Sequence, residues 1–592
     1  MGLVFLFCGV PILVAGFFVA IDPYYLFGAP SWRGFNLVRP AYEPYAMAAK
    51  PYQVWRMRPE AVVLGASSPE VGIDPRHPGW GEVTVFNFAL PSSTSYMTML
   101  SFLHAQKLGA RQAIASLDFF SFNINFPLGA AFREQRFLQS ANTDFARFLD
   151  ETLPDRPKPV LTPAPTAAAP GWNEQLYLAV NPDVAAAIAR GDFKTGREHY
   201  ELAGRAERRE GSAVPDDWDE TTYLEVHPDV TREISRGTFV SGYHHYLVAG
   251  RAEGRLGGFK PKDWDEAGYL AANPVARNRV ALGIHRTGFG HYAAVGHRLG
   301  LLGGLPPANA LERFRQRFPD VDKVLFNVRE VVQMTFAPTA MRDAVSTIRR
   351  QSDPADFDDK GMRVWQGHDD VLKKLGGTGK LIRGKLAPGD GYHLWLPPPG
   401  LQYCFANAET GRTTFDPFRF MLRRAYAEGT DLRLFTTPVL VEFLQFFREQ
   451  GLYERYEFWL RELVRINEEE ALRTGRQPFP LWHFGDVNQI TSEPVPSATD
   501  PTPMTYYWDF AHYRKATGDL ILDRVLSYRN PTRAVPDDFG VRLTAANVEA
   551  ELTSTKAKLA GWASANADLA TKIFDAARHP GARSRQSIAT CW

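Results

Sequence analysis

The chain has 592 residues, of which 45% are hydrophobic and 13% aromatic, so it is long enough for two or more packed domains. Its 67 Lys and Arg residues nearly balance its 66 Asp and Glu residues. This near-neutral charge excludes a strongly basic nucleic-acid-binding protein, so we expect no nucleic-acid partner. The three cysteines form no Cys-x-x-Cys motif, and we predict neither a metal site nor a cofactor.

The first predicted element is an apolar segment at residues 1–21. It has no charged residue between Gly2 and Ile21 and is about long enough to cross a bilayer. Because it lacks a small-x-small cleavage site, we interpret it as an uncleaved signal-anchor, a transmembrane helix that remains attached. The alternative is a buried amino-terminal helix of a soluble protein.

A short strand and a serine turn come next. The apolar run Ala61–Leu64 predicts a buried strand, and Gly65-Ala66-Ser67 predicts a tight turn at its carboxyl end. Ligands of open α/β sheets bind at that edge, where a serine hydroxyl lies close to backbone N–H groups. Alone, however, such a turn more often caps a helix than holds a nucleophile.

Strands and helices then alternate along the chain. Residues 84–89 predict a second strand, 94–108 an amphipathic helix and 112–119 a third strand. Further strands are predicted at 432–438 and 480–484. This alternation predicts an α/β fold with a mostly parallel sheet and right-handed crossovers.

A linker and a repeat interrupt this pattern. Residues 154–170 are rich in Pro and Ala and predict an extended linker. In residues 171–304, Trp172, Trp218 and Trp264 recur with a period of 46 residues, as do three His-Tyr pairs. Such a period predicts an array of similar helical units with a shared aromatic core. We interpret the His-Tyr pairs as structural rather than as metal ligands. The units resemble the Tyr-Leu-x-x-Asn-Pro-Asp-Val repeats of bacterial surface and secreted proteins.

Far along the chain, Asp509 precedes His512 by three residues. A carboxylate at this spacing is able to accept the imidazole Nδ1–H, which leaves Nε2 free to take a proton from a serine. Alone, Asp-x-x-His is more typical of a helix N-cap followed by a surface histidine.

Together, the serine turn and the Asp-x-x-His motif resemble the SGNH (GDSL-like) hydrolase family. More narrowly, residues 1–165 and 305–550 resemble a membrane-anchored bacterial branch similar to alginate and teichoic acid O-acylation proteins. The resemblance implies a three-layer αβα fold, with Ser67 as nucleophile, His512 as base and Asp509 as its orienting partner. It also rests on the segments Glu70-Val71-Gly72-Ile73-Asp74-Pro75, Val85-Phe86-Asn87-Phe88-Ala89-Leu90-Pro91 and Leu117-Asp118-Phe119-Phe120-Ser121-Phe122-Asn123.

The oxyanion donors of the family are not matched. Where the family has a Gly and an Asn, this chain has Ser92 and Asp118, and Asp118 offers a carboxylate where a donor is needed. Either the backbone N–H of Ser67 or Ser68 and the side chain of Asn87 act as donors instead, or the site is weak. Asn87 is equally well explained as a polar residue that ends a buried strand.

We divide the chain into six predicted segments. They are a signal-anchor (1–21), the first part of an SGNH-like domain (22–153), the linker (154–170), the repeats (171–304), the second part of the domain (305–540) and a helical tail (541–592).

Two functions remain open. The first is an exported serine esterase or O-acetyltransferase that acts on acyl esters of an envelope or exopolysaccharide through an acyl-serine. The second is a catalytically inactive scaffold or glycan-binding component of a polysaccharide export or modification complex, which Ser92 and Asp118 favour. We favour the enzyme, because a scaffold has no need of Ser67, Asp509 and His512 together.

The resemblance also implies partners and a location. We expect a carbohydrate or polysaccharide acyl ester as substrate and a membrane acyltransferase as partner. We expect the protein to be a single-pass protein of the bacterial inner membrane, with the bulk of the chain in the periplasm or outside the cell.

Overall fold

The computed structural model describes residues 10–126, 128, 132–152, 172–353, 355–365, 367–374, 376–385, 403–407, 410–497 and 499–578. The chain forms two compact units. The first comprises Met1–Phe145, Leu325–Ala406 and Thr413–Trp592, and the second comprises Ala146–Val324 and Asn407–Arg412. The second unit is therefore largely one long insertion into the first.

Among the described residues, the first unit contains one six-stranded sheet, with strands β1 (Ala61–Leu64), β2 (Val85–Asn87), β3 (Gln112–Leu117), β4 (Asp431–Thr436), β5 (Leu481–His483) and β6 (Val541–Arg542). The strand order is β2-β1-β3-β4-β5-β6. All neighbours are parallel except β5 and β6. The predicted α/β class with a mostly parallel sheet is confirmed. Strand β6 was not predicted and lies at the start of the predicted helical tail.

The strand order creates a crevice at one edge of the sheet. Strand β1 lies between β2 and β3, so the connection that leaves β1 runs toward β2 while the connection that leaves β3 runs toward β4, and the two diverge at the carboxyl ends of β1 and β3. Ligands in open α/β sheets bind at such a point. Ser67 follows β1 and Asp118 follows β3, so both are positioned at this edge. Strand β3 pairs with β4, with Leu117 opposite Thr436, although the whole insertion lies between these two strands in the sequence.

Helices surround the strands in sequence. The predicted amphipathic helix is Ser95–Lys107, and every side chain from Ser95 to Gln106 is buried. It contacts β1 and the helices Tyr42–Met57 and Asp416–Glu428. These two helices cover the side of Ser95–Lys107 that was predicted to face solvent. The other α-helices that lie wholly or partly in this unit are Val10–Ile21, Ser67–Gly72, Gln139–Glu151, Pro319–Phe336, Pro338–Arg349, His368–Lys374, Gly377–Lys385, Val441–Glu449, Tyr453–Thr474, Lys515–Val525, Val548–Ala565 and Ala567–Arg578.

The predicted signal-anchor overlaps the helix Val10–Ile21, and its first nine residues lie outside the described part of the chain. Phe18 and Ile21 are buried in a cluster with Tyr24 and Tyr42. Among the described residues, we find no helix that combines the length and apolar character needed to span a bilayer. The predicted transmembrane helix is therefore unsupported.

The second unit contains three copies of one helical pattern. In each copy a buried tyrosine hydrogen-bonds at 2.9 Å to the Nδ1 atom of the histidine 22 residues later, in the pairs Tyr177–His199, Tyr223–His245 and Tyr269–His291. Gly204, Gly250 and Gly296 pack against these tyrosine hydroxyls, and a Cβ atom there would collide with them. These contacts support the structural interpretation of the His-Tyr pairs.

The helices of the second unit are short and regularly spaced. Each copy contains a π-helical turn, at Tyr200–Gly204, Tyr246–Gly250 and Tyr292–Gly296. The α-helices are Glu174–Val180, Pro182–Arg190, Gly196–His199, Glu220–Val226, Pro228–Ser235, Gly242–His245, Glu266–Ala272, Pro274–Ala281, Gly288–His291, His297–Leu299 and Ala310–Arg317.

Candidate active site

Gly65 determines the shape of the serine turn, because it follows β1 and packs against β3. Ser67 begins the helix Ser67–Gly72, directly after β1 and the residues Gly65 and Ala66. Gly65 has a φ angle of +137°, a conformation that favours glycine. A Cβ atom at Gly65 would also lie 2.8 Å from the Cβ of Ser116 on β3. Glycine therefore permits the close turn that leaves Ser67 partly exposed at the sheet edge.

Ser67, His512 and Asp509 form one continuous chain of hydrogen bonds. The Ser67 Oγ lies 2.8 Å from Nε2 of His512. The His512 Nδ1 lies 3.0 Å from Oδ2 and 3.1 Å from Oδ1 of Asp509. With the proton on Nδ1, the imidazole donates to Asp509 and keeps its Nε2 lone pair for the serine proton. The structure thus brings together all three residues that the two motifs predicted.

The carboxylate of Asp509 is fixed by its own turn. Its Oδ1 accepts hydrogen bonds from the backbone N–H groups of Ala511 at 2.8 Å and His512 at 2.9 Å. The side chains of His512 and Asp509 are only 14% and 11% exposed. An isolated antiparallel β-bridge between Tyr507 and Tyr513 closes this loop. Asp509 therefore both caps the turn and orients the imidazole.

Two glycines bring the serine helix against the helix that follows His512. Gly72 ends the helix Ser67–Gly72, and Gly518 lies in the helix Lys515–Val525. A Cβ atom at Gly518 would collide with the carbonyl oxygen of Gly72. The hydroxyl of Ser68 also donates a 2.9 Å hydrogen bond to the carbonyl oxygen of Ala511. This backbone-to-backbone packing holds the serine turn beside the histidine loop.

A cleft opens beside Ser67. One part of its wall is polar and the other is apolar. The polar part is contributed by Ser67, Ser68, Ser92, Ser93, Asp118, Ser121 and Thr437, and the apolar part by Ala66, Phe120, Phe126, Val439, Phe443 and Ala511.

The predicted oxyanion residues divide into two groups. Ser68, Ser92 and Asp118 line the cleft with Ser67. Asn87 is fully buried, and its amide nitrogen donates to the carbonyl oxygens of Pro69 and Ile73 at 2.8 and 2.9 Å. Its side chain therefore joins β2 to the serine helix, which fits the interpretation of Asn87 as a structural polar residue.

Asp118 is the least expected side chain of the cleft. Its Oδ2 atom is buried and has no hydrogen-bond partner in the described part of the chain. Burial raises the pKa of the Asp118 carboxyl above its ordinary value, although hydrogen bonding by the Thr437 hydroxyl and the Ala66 N–H, and the nearby His512, act in the opposite direction. Asp118 is therefore easier to protonate than an ordinary aspartate.

Two residues whose contacts stabilise the site, Lys50 and Trp365, were not predicted from the sequence. The ammonium group of Lys50 is fully buried and donates to Glu70 of the serine helix at 2.8 Å and to the carbonyl oxygen of Ala89 at 2.7 Å. The ring of Trp365 lies edge-on to His512, with 5.6 Å between centroids. Neither residue belongs to a recognisable motif, because each depends on a contact distant in sequence.

A scan against models of known protein families and searches of characterised proteins and solved structures found no match. Within the described ranges, no group of three or more His, Cys, Asp or Glu side chains is arranged to hold a metal ion. The geometry around Ser67 is therefore the main indication of function.

Proposed function

We propose that this protein is an SGNH-type serine esterase or O-acetyltransferase that acts on acyl esters of an envelope or exopolysaccharide. The observation that carries this proposal is the hydrogen-bonded chain from Ser67 through His512 to Asp509. This constellation activates a serine for acyl transfer in proteins of unrelated fold, and it is recognised by geometry rather than by sequence position.

The chemistry follows from the direction of the hydrogen bonds. As the Ser67 Oγ attacks an ester carbonyl, His512 Nε2 takes the hydroxyl proton and Asp509 stabilises the resulting imidazolium. His512 then gives that proton to the departing alcohol, which leaves an acyl group on Ser67. Water or a sugar hydroxyl would release this group in a second half-reaction, giving an esterase or an O-acetyltransferase respectively.

The cleft supports an acyl group as the bound part of the substrate. Phe120, Phe126, Val439 and Phe443 form an apolar wall next to the reactive hydroxyl. Such a wall favours a hydrocarbon chain over a charged group, because a charge there would lose its hydration. The backbone N–H groups of Ser67 and Ser68 are our proposed oxyanion donors, since the first N–H groups of a helix have no partner within it.

The more specific parts of the proposal rest on the family resemblance. These are the three-layer SGNH fold, the polysaccharide substrate, the membrane acyltransferase partner and the location in the inner membrane with the bulk of the chain outside the cytoplasm.

Hydrolysis of p-nitrophenyl acetate by the full chain tests the proposal. We expect Ser67→Ala and His512→Ala each to lower kcat by about a thousandfold or more, because triad members act as one unit. Ser564→Ala and His297→Ala change exposed residues far along the chain from these motifs and should retain wild-type turnover. An inactive wild-type protein would favour the scaffold alternative, and equal activity in Ser67→Ala would refute the assigned nucleophile.

A further inference from the structure

The carboxyl group of Asp118 lies in the cleft beside Ser67. The cleft lining in the described part of the chain contains no Lys or Arg. The titratable groups that act on Asp118 are His512 and, from the same loop, Tyr513. Burial raises the pKa of the Tyr513 hydroxyl well above its ordinary value, so Tyr513 is neutral. Of these two groups, His512 alone has a cationic form.

An ionised Asp118 conflicts with the chemistry proposed for Ser67. Attack on an ester places a negative charge on the former carbonyl oxygen, and a carboxylate in the same cleft would repel that charge. The Oδ2 atom of Asp118 also favours the neutral form. It is buried without a hydrogen-bond partner among the described residues, and burying a charged oxygen without a hydrogen bond is costly. A neutral carboxylic acid removes both costs and adds an O–H donor.

We propose that Asp118 is a neutral carboxylic acid in the resting protein and that its O–H donates a hydrogen bond to the oxyanion formed at Ser67. This inference rests on the proposed acyl-serine function. It assigns Asp118 the donor role that an amide would otherwise fill, and it resolves the mismatch between a carboxyl side chain and a site that needs a donor.

The proton balance of the step is simple. The Ser67 Oγ forms a bond to the carbonyl carbon, and the π electrons of the carbonyl move to its oxygen. The hydroxyl proton of Ser67 goes to Nε2 of His512. The Asp118 proton stays on Asp118 and is only shared through the hydrogen bond, so Asp118 needs no reprotonation between turnovers.

Two substitutions separate the donor role from other roles. Asp118→Asn keeps a donor of similar size, and we expect its kcat to remain within about tenfold of wild type. Asp118→Ala removes the donor, and we expect kcat to fall by about 100- to 1,000-fold, the usual loss for one oxyanion donor. Wild-type activity should fall as the pH rises through the range in which Asp118 ionises, whereas Asp118→Asn should lack that fall.

Infrared difference spectroscopy gives a readout that does not depend on turnover. We expect the wild-type minus Asp118→Asn spectrum of the unliganded full chain to contain a protonated-carboxyl band at the pH of maximal activity, and this band should vanish as the pH rises. The folding of each variant is checked by circular dichroism and by its urea midpoint.

Each outcome decides the proposal. A protonated-carboxyl band together with an active Asp118→Asn supports it. The absence of the band, or a folded Asp118→Asn as inactive as Asp118→Ala, overturns it while acylation of Ser67 in the wild type stands. The absence of acyl-Ser67 in the wild type would instead refute the proposed function, and the donor role with it.

Discussion

Gly518 packs directly on the carbonyl oxygen of Gly72, and this contact aligns the two halves of the candidate site. Gly72 belongs to the helix that begins with Ser67, and Gly518 belongs to the helix that follows the loop of His512. The separation of these two backbones therefore determines the distance between the serine and the histidine.

Replacing Gly518 by Ala should separate these helices and lower kcat by about 100-fold, because a displacement of about 1 Å has that effect on a reacting pair. Gly561→Ala is the matched control, since a Cβ atom there meets nothing within 4 Å and the residue lies in the helix Val548–Ala565. The control should keep wild-type turnover and gain up to about 1 kcal/mol of stability. Unchanged kcat in Gly518→Ala would contradict this role of the glycine contact.

Lys50→Met should lower the free energy of unfolding by about 3–5 kcal/mol, because it leaves the carboxylate of Glu70 buried without its partner. The double variant Lys50→Met/Glu70→Leu should recover most of that loss. Urea denaturation of the two variants measures the difference.

The exposed pair Arg197–Glu201 is the control for Lys50, with side chains 63% and 55% exposed. Arg197→Ala should lower the free energy of unfolding by less than about 1 kcal/mol.

If the double variant Lys50→Met/Glu70→Leu were as unstable as Lys50→Met, the loss of stability would come from packing rather than from the unpaired charge.

His483 should make the first unit less stable in acid. His483 ends β5, and its buried ring hydrogen-bonds through Nδ1 to the hydroxyl of Thr436 in β4 at 2.8 Å. Burial lowers the pKa of His483 to about 4. Between pH 6.5 and 4 the unfolded chain therefore binds more protons at His483 than the folded chain does. The free energy of unfolding should fall through this window by about 3 kcal/mol from His483 alone.

Urea denaturation at pH 7 and pH 4.5 tests the contribution of His483. The stability advantage of wild type over His483→Gln should shrink as the pH falls, because the variant lacks the titrating group. His297→Gln, at an exposed position, should follow wild type at both values. Identical pH slopes for wild type and His483→Gln would refute the assignment.

Phe443→Ala should widen the acyl side of the cleft. We expect the ratio of kcat/KM for p-nitrophenyl hexanoate over acetate to rise by about tenfold, the effect of a few buried methylenes. Phe446→Ala is the control, because Phe446 lies on the same helix and is buried but does not line the cleft. Both variants should lose stability, whereas only Phe443→Ala should change acyl preference. An unchanged ratio would show that the cleft does not hold the acyl chain.

The sequence predicted those parts of the site that lie in short motifs. Ser67 follows a strand, and Asp509 and His512 share one turn, so local pattern and spacing were sufficient to select them. The parallel sheet was predicted for the same reason, because β1 is a continuous apolar run and β3 and β4 are short segments with several apolar residues.

Features that depend on distant contacts were not predicted. The Lys50–Glu70 pair and the Gly72–Gly518 contact join segments that carry no signal for each other. The helix Ser95–Lys107 was expected to be amphipathic, yet other helices cover its polar face. Strand β6 has only two residues, too few for any pattern. The side-chain partners of Asn87 likewise depend on the packing of the helix Ser67–Gly72 beside β2, which the sequence of β2 does not indicate.

Mass spectrometry of the protein mixed with p-nitrophenyl acetate and quenched in acid within the first turnover tests the central claim most directly. We predict one acetyl group per chain, located on the peptide that contains Ser67 and absent from Ser67→Ala. The absence of an adduct in the wild type, or an adduct on another residue with Ser67 unmodified, would contradict the assignment of Ser67 as an acyl-serine nucleophile.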